Sequence, residues 1–384
     1  MFNKDNFFNL IKYEIKGETF SQDNNISRED LSQVFSLAKK HDIAHLVGDA
    51  LIKNGLFKED EENLKKKFEA EKFKAVYRTT QIEAITEIVK ETFNDEKIKF
   101  IPLKGSVIRK IYPEPWMRTS CDIDVLINRN DLERAINCLE KRGFWVNYDR
   151  NYHDISLYYG NVHLELHFSI CENMPKSDTV LKEVWNYSEL YDGYEYRENR
   201  EYFVFHHIAH MAYHVQAGGC GIRPFIDLWL MQNAGYYSDE KLKPFLEEGG
   251  LTQFYDKVNE LIGVWFYGRE RQGKISVFES FVLSGGVYGT SKNKVTMGVA
   301  SSGSNKGNYI LRSAFPRVDA MKMMYPVLKK CIILLPICYL HRIISKIFGK
   351  DNVRVKKRIK VAFNYRGESV DSASELLNYL GIKK

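Results

Sequence analysis

Asp122 and Asp124 stand two apart in the run Cys121-Asp-Ile-Asp-Val-Leu-Ile127, and this alternation constrains the chain most. On a strand, side chains two residues apart share a face, so both carboxylates point one way while Ile123, Val125 and Ile127 point the other. The segment reads as a strand buried on one side and acidic on the other. Paired carboxylates held this way can bind a divalent cation.

The strand has a framework around it. Ile98 to Leu103 reads as an earlier strand, followed directly by Lys104-Gly105-Ser106 and a short apolar helix through Ile111. Strand, glycine turn and helix form a layout that receives phosphate, because glycine lets backbone N–H groups approach it and a serine at the helix start can donate to it. After the acidic strand, Asn130 is expected to cap a helix carrying Asp131 and Glu133 in its first turn, running to about Arg142 before Gly143 stops it. Strands are expected over Asp154 to Tyr159 and Val162 to Phe168, turning at Gly160-Asn161. In the second, His163, Glu165 and His167 share a face opposite Val162, Leu164, Leu166 and Phe168. Glu165 thus offers a third carboxylate, and three acids held close repel one another unless a cation neutralises them.

Both flanks read as helical. Before about Asp95, Ser27 can cap a segment beginning Arg28-Glu29-Asp30, and Ile82, Ile85, Val89 and Phe93 recur at helical spacing. Beyond about Asn173, long helical segments are expected over Glu201 to Asn233 and Asp239 to Trp265. Residues 284–308, with six glycines among serines and lysines, read as a flexible loop. The Gly285-Gly286-Val287-Tyr288-Gly289 run inside it lacks the preceding strand and following acid of a dinucleotide site. The resulting division is a helical layer at 1–96, an α+β core with a mixed sheet at 97–170 and a helical region at 171–384.

Composition narrows the class. With 384 residues, 44% hydrophobic and 28% charged, the chain suits a globular protein, and its net charge of +6 fits phosphate binding without requiring nucleic acid. Six cysteines scattered without a Cys-x-x-Cys pair argue for reduced thiols, so a cytoplasmic location is expected. The first residues lack the uninterrupted apolar core of a secretory signal. Cys331 to Leu340 is apolar between Lys329-Lys330 and Arg342, but it is about half a bilayer span and contains Pro336, so a buried helix is expected. The basic stretch Lys346, Lys350, Arg354, Lys356, Lys357, Arg358 and Lys360 offers a solvated face or a contact to RNA or a membrane surface.

Two further groups have competing readings. His206, His210 and His214 recur every four residues along one helix face, with His207 beside them, and suit a metal, a substrate or phosphate contact, or packing. Arg223 and Asp227 lie four apart, as an intrahelical ion pair does; alternatively Arg223 reaches the cleft as an anion ligand held by Asp227.

Leu103-Lys104-Gly105-Ser106, Asp122-Ile123-Asp124 and Glu165-Leu166-His167 together resemble the uncharacterised nucleotidyltransferase family of the DNA polymerase beta-like superfamily, whose signature is a Gly-Ser turn, an Asp-x-Asp strand and a later strand bearing a third acid. Tyr112-Pro113 and Arg118 look like its connecting segment. The likeness extends to His206–His214, Arg223–Asp227, Phe315-Pro316 and Tyr325-Pro326. The interval from Gly105-Ser106 to Asp122, with Pro113 and Pro115, is longer than in compact members of the superfamily and can reshape the pocket.

The resemblance implies a polymerase-beta-like core and transfer of a nucleoside monophosphate from a nucleoside triphosphate to an acceptor hydroxyl. It implies that Asp122, Asp124 and Glu165 hold Mg2+ or Mn2+, that Lys104, Gly105, Ser106 and Arg118 meet the triphosphate, and that His167, His206, His210, His214 and Arg223 belong to the substrate pocket. A small-molecule acceptor is expected ahead of a protein or RNA one. The competing expectation is a non-catalytic nucleotide-binding or assembly protein that keeps the fold.

Overall fold

A computed structural model describes residues 3–18, 28–147, 153–287, 289–301, 311, 314–316, 318–325, 327–348 and 368–383. Among these described residues, seven strands form one mixed sheet: β1 (Phe100–Pro102), β2 (Asp122–Ile127), β3 (Trp145–Asn147), β4 (Asp154–Tyr159), β5 (Val162–His167), β6 (Ser188–Asp192) and β7 (Glu195–Glu198), in the order β3-β4-β5-β2-β1-β7-β6. The acidic strand β2 therefore sits at the centre. It runs parallel to β5 and antiparallel to β1, and β4 and β5 form the hairpin expected from Gly160, whose φ is +57°.

Around the sheet lie α1 (Lys4–Lys16), α2 (Arg28–Lys40), α3 (Ala44–Lys53), α4 (Glu62–Asp95), α5 (Gly105–Ile108), α6 (Leu132–Lys141), α7 (Pro175–Leu181), α8 (Arg200–Gln216), α9 (Arg223–Asn233), α10 (Asp239–Gly249), α11 (Thr252–Tyr267), α12 (Ile275–Gly285) and α13 (Ser291–Ser301), with a further helix at Glu368–Tyr379. Two apolar cores divide the faces of β2. Ile123, Val125 and Ile127 join Leu164 and Leu166 of β5 against Ile82, Val89 and Phe93 of α4 and Leu139 of α6. On the opposite side, Leu126, Ile101 and Leu103 belong to a larger core with α1–α3, α8, α9, α11 and α12, in which Phe8 stacks on Trp265. The helices at the start of the chain thus share their core with those beyond residue 200. That second face carries the acids.

Several local expectations are corrected. Residues 188–198, expected to be helical, add β6 and β7 to the sheet, with β7 alongside β1. The segment 201–233 is two helices, broken where Gly218 takes φ +99° and a Cβ would lie 2.5 Å from the Lys294 nitrogen. The segment 239–265 likewise breaks at Gly250, with φ +66°. Within the glycine-rich stretch, 291–301 is helix rather than loop. Helix α6 begins at Leu132 after a 3-10 turn over Arg129–Asp131, so Asn130 is not its cap.

The apolar run near Cys331 forms a 3-10 turn and the start of a helix, Leu335–Phe348, but is largely exposed apart from Cys338: Ile333 is 83% exposed. No helix among the described residues is long and apolar enough to cross a membrane. Ser27 as a cap, the end of the glycine-rich stretch and the basic residues from Lys350 to Lys360 lie outside the described residues.

Candidate active site

Parallel pairing of β2 with β5 places Asp122 beside His163 and Asp124 beside Glu165. Each pair projects from the sheet face opposite Ile123 and Leu164, as the alternation requires. Ligand atoms of Asp122, His163 and Glu165 lie within 4.8 Å of one another, and so do those of Asp124, Glu165 and His167. Two acids close in sequence and a third some forty residues later meet on one surface.

The charges there are tightly coupled. Burial, and then the fields of Asp124 and Glu165, push the Asp122 carboxyl up to about 6. Burial also works against the Asp124 charge, but Lys104 and His167 outweigh it and hold that carboxyl far below the usual range. The Lys104 Nζ lies 3.3 Å from Asp124 Oδ1, and His167 Nε2 donates to the same oxygen at 2.9 Å. Despite its burial, the bonds to Asp124 and Glu165 raise His167 to about 9. Lys104 is raised as well, since Asp124, Glu172, Glu165 and Asp122 outweigh its desolvation.

The donor set fits magnesium or manganese: hard carboxylate oxygens predominate. The upward push on Asp122 by its acidic neighbours is the strain that a cation relieves.

Asp122, Asp124, Glu165, His167 and Lys104 line a cavity of about 340 Å³, together with His206, His207, His210 and His214 of α8 and the start of α9. Lys104, at φ +42°, and Gly105 form its turn-side rim. Ser106 does not join them; it lines a neighbouring groove with Glu83, Lys90 and Arg109.

Arg118 and Arg223 both line the cavity, yet neither partner follows from spacing alone. Arg118 Nε and Nη2 grip Asp227 at 2.8 and 2.9 Å, and its Nη1 donates to the Thr119 carbonyl at 2.9 Å. Asp227 also accepts from the Tyr112 hydroxyl at 2.7 Å. Arg223 instead donates to the Thr119 carbonyl at 2.8 Å and to Asp42 at 3.2 Å, so neither the Arg223–Asp227 pair nor Asp227 as the anchor of Arg223 is what forms.

The α8 histidines are individually held. His206 Nδ1 faces Glu198 at 3.0 Å, His207 Nε2 donates to the Pro224 carbonyl at 3.0 Å, and His210 Nδ1 meets Glu172 at 2.6 Å. His210 and His214 share a hydrogen bond between their Nε2 atoms at 2.9 Å. Burial first, then Lys104, keeps both well below the ordinary imidazole value, with His214 at about 4. None of the candidate metal-binding groups among the described residues includes these histidines.

Glu172, Asp42, His153 and Asp154 escaped the sequence reading as site residues. Glu172 follows β5 by a few residues and carries no motif; only the fold turns it back toward α8.

The family model described as uncharacterised nucleotidyltransferase matches residues 27–266, which include the glycine turn, all three acids and α8. The chain belongs to the uncharacterised nucleotidyltransferase family. No curated protein and no solved structure matches it. Membership in the uncharacterised nucleotidyltransferase family makes nucleotidyl transfer the reaction class, with a nucleoside triphosphate as substrate.

Proposed function

We propose that the protein is a metal-dependent enzyme that moves a nucleoside monophosphate from a nucleoside triphosphate to a hydroxyl of a small molecule, releasing pyrophosphate. The observation that carries this reading is the alignment of Asp124 with Glu165 across adjacent strands, two residues on from Asp122, in one cavity with Lys104.

Asp122, Asp124 and Glu165 would hold Mg2+ or Mn2+, which when bound supplies Lewis-acid polarisation of the α-phosphate. Lys104 and Gly105 form the triphosphate side of the pocket, and Lys104 is placed to exchange its contact with Asp124 for phosphate oxygens. Ser106, in the same turn, faces the neighbouring groove and stands outside this triphosphate side. Arg118, fixed on Asp227, contributes positive charge beneath Gly105, since a Cβ on that glycine would stand 3.6 Å from its Nη1. His167 orients Asp124, while His206, His210, His214 and Arg223 form the acceptor side. The acceptor oxygen bonds to the α-phosphorus, its proton leaves toward Glu165, and the bond to pyrophosphate breaks in line.

The core at 97–170 supplies the donor side and the region from 171 the acceptor side. Histidine-lined walls around a cavity of about 340 Å³ favour a small acceptor over a polymer. Six free thiols suit a cytoplasmic enzyme.

The test is incubation with α-labelled nucleotides, Mg2+ and a cell extract. Wild type is expected to pass label into the small-molecule fraction, and Asp122→Asn and Asp124→Asn to lower transfer on the order of a thousandfold, the scale of several kcal/mol of lost charge stabilisation. Equal transfer by the double variant rejects the catalytic reading. Metal-dependent nucleotide binding without turnover favours a non-catalytic nucleotide-binding protein, and label on protein or RNA reassigns the acceptor.

A further inference from the structure

Beside the three carboxylates, the start of β4 meets the end of β5. Asp154 and His167 are cross-strand partners, each 3% exposed. Asp154 Oδ1 and His167 Nδ1 are both buried with no hydrogen-bond partner among the described residues. Two orphaned polar atoms on directly paired residues cost on the order of 1–3 kcal/mol each unless a water or an ion satisfies them. His153 completes the group. Its Nε2 lies 3.4 Å from Asp154 Oδ2, and its ring stacks on that of His167 at 5.5 Å and 16°. Ligand atoms from all three residues fall within 4.8 Å of one another.

We propose that His153, Asp154 and His167 form a second metal site, for a borderline divalent cation of the zinc type, separate from the Asp122, Asp124 and Glu165 set. The donors are two imidazoles and one carboxylate, a combination that suits zinc and leaves a coordination position for water, whereas the neighbouring set is predominantly oxygen and suits magnesium. His167 already has the supporting contact of a metal ligand, because Nε2–H donates to Asp124 at 2.9 Å and leaves Nδ1 as the nitrogen on which a cation takes the place of a proton. A cation on Nδ1 fixes that tautomer. It thereby fixes the Asp124 carboxylate, so one site positions a ligand of the other.

This inference does not depend on the transfer reaction, and its test uses the metal alone. The full chain, stripped of metal and held in excess Mg2+, is titrated with Zn2+ calorimetrically and with Co2+ followed by visible absorption. Wild type is expected to take up one equivalent of Zn2+ and to show the strong visible bands of low-coordinate Co2+. His153→Ala and Asp154→Asn each weaken binding by about tenfold or more, while Asp122→Asn retains it. The His153 side chain is 31% exposed, so its removal leaves the core intact and keeps the comparison interpretable if Asp154→Asn misfolds. The proposal is overturned if wild type takes up no Zn2+ under these conditions, or if Asp122→Asn loses the ion while both site variants keep it.

Discussion

Asp227 is fully buried and accepts from the Arg118 guanidinium and the Tyr112 hydroxyl. Burial alone would lower the Arg118 guanidinium, but Asp227 more than offsets it and raises it above its ordinary value. Removing one member of such a pair leaves the other desolvated and unmatched, so Asp227→Ala is expected to cost about 3–5 kcal/mol, read from the urea unfolding midpoint. A loss below about 1 kcal/mol would mean that water reaches Arg118 freely. The acids were legible at this scale: Asp122, Asp124 and Glu165 face one way because strand alternation is a local rule. The partner of Asp227 was not. The i, i+4 spacing pointed to Arg223, four residues away, whereas the observed partner comes from before β2, and no helical rule reaches across that separation.

His41 ties three helices together. Just beyond α2, it accepts from the Ile222 N–H at 3.2 Å through Nδ1 and donates to the Leu283 carbonyl at 3.2 Å through Nε2, joining the start of α9 to the end of α12. Only the neutral ring serves both bonds. Burial lowers its pKa to about 4 from an ordinary 6.5, so its contribution is fully present above pH 6.5 and drains away as pH falls toward 4. The difference amounts to about 3 kcal/mol. His41→Asn is expected to be less stable than wild type at pH 7 and to lose stability less steeply between pH 6.5 and 4.5 in urea titrations. Parallel slopes for the two proteins would remove His41 from the acid response.

The elements that sequence revealed were those with a clean period, such as the β4–β5 hairpin turning at Gly160. Strands β6 and β7 escaped because Ser188–Asp192 is mostly exposed and Glu195–Glu198 is largely charged, so neither shows the alternation of a half-buried strand. Pairing of β7 with β1, and of β6 with β7, defines them. The helix breaks at Gly218 and Gly250 escaped for a related reason: the apolar period continues through both, and only the close approach of Lys294 or the left-handed turn stops the helix.

Across the described residues the sheet has a core on each face, and the cavity opens on the side where β2 and β5 confront α8 and α9. The acids come from strands and the histidines from helices that follow, so the site exists only once both parts have packed. Family membership and the α+β class were legible from three short motifs; the shared core of the first helices with those beyond residue 200 was not, because amphipathic helices do not announce their partners. Binding of divalent cations by the three carboxylates decides what chemistry this cavity performs. A crystal grown with Mn2+ and a non-hydrolysable nucleoside triphosphate, with data collected near the manganese edge, addresses this directly: the predicted result is anomalous density bounded by Asp122, Asp124 and Glu165, with the triphosphate beside Lys104 and Gly105. Nucleotide bound in the cavity without manganese density among those acids, or manganese found only elsewhere, would contradict it.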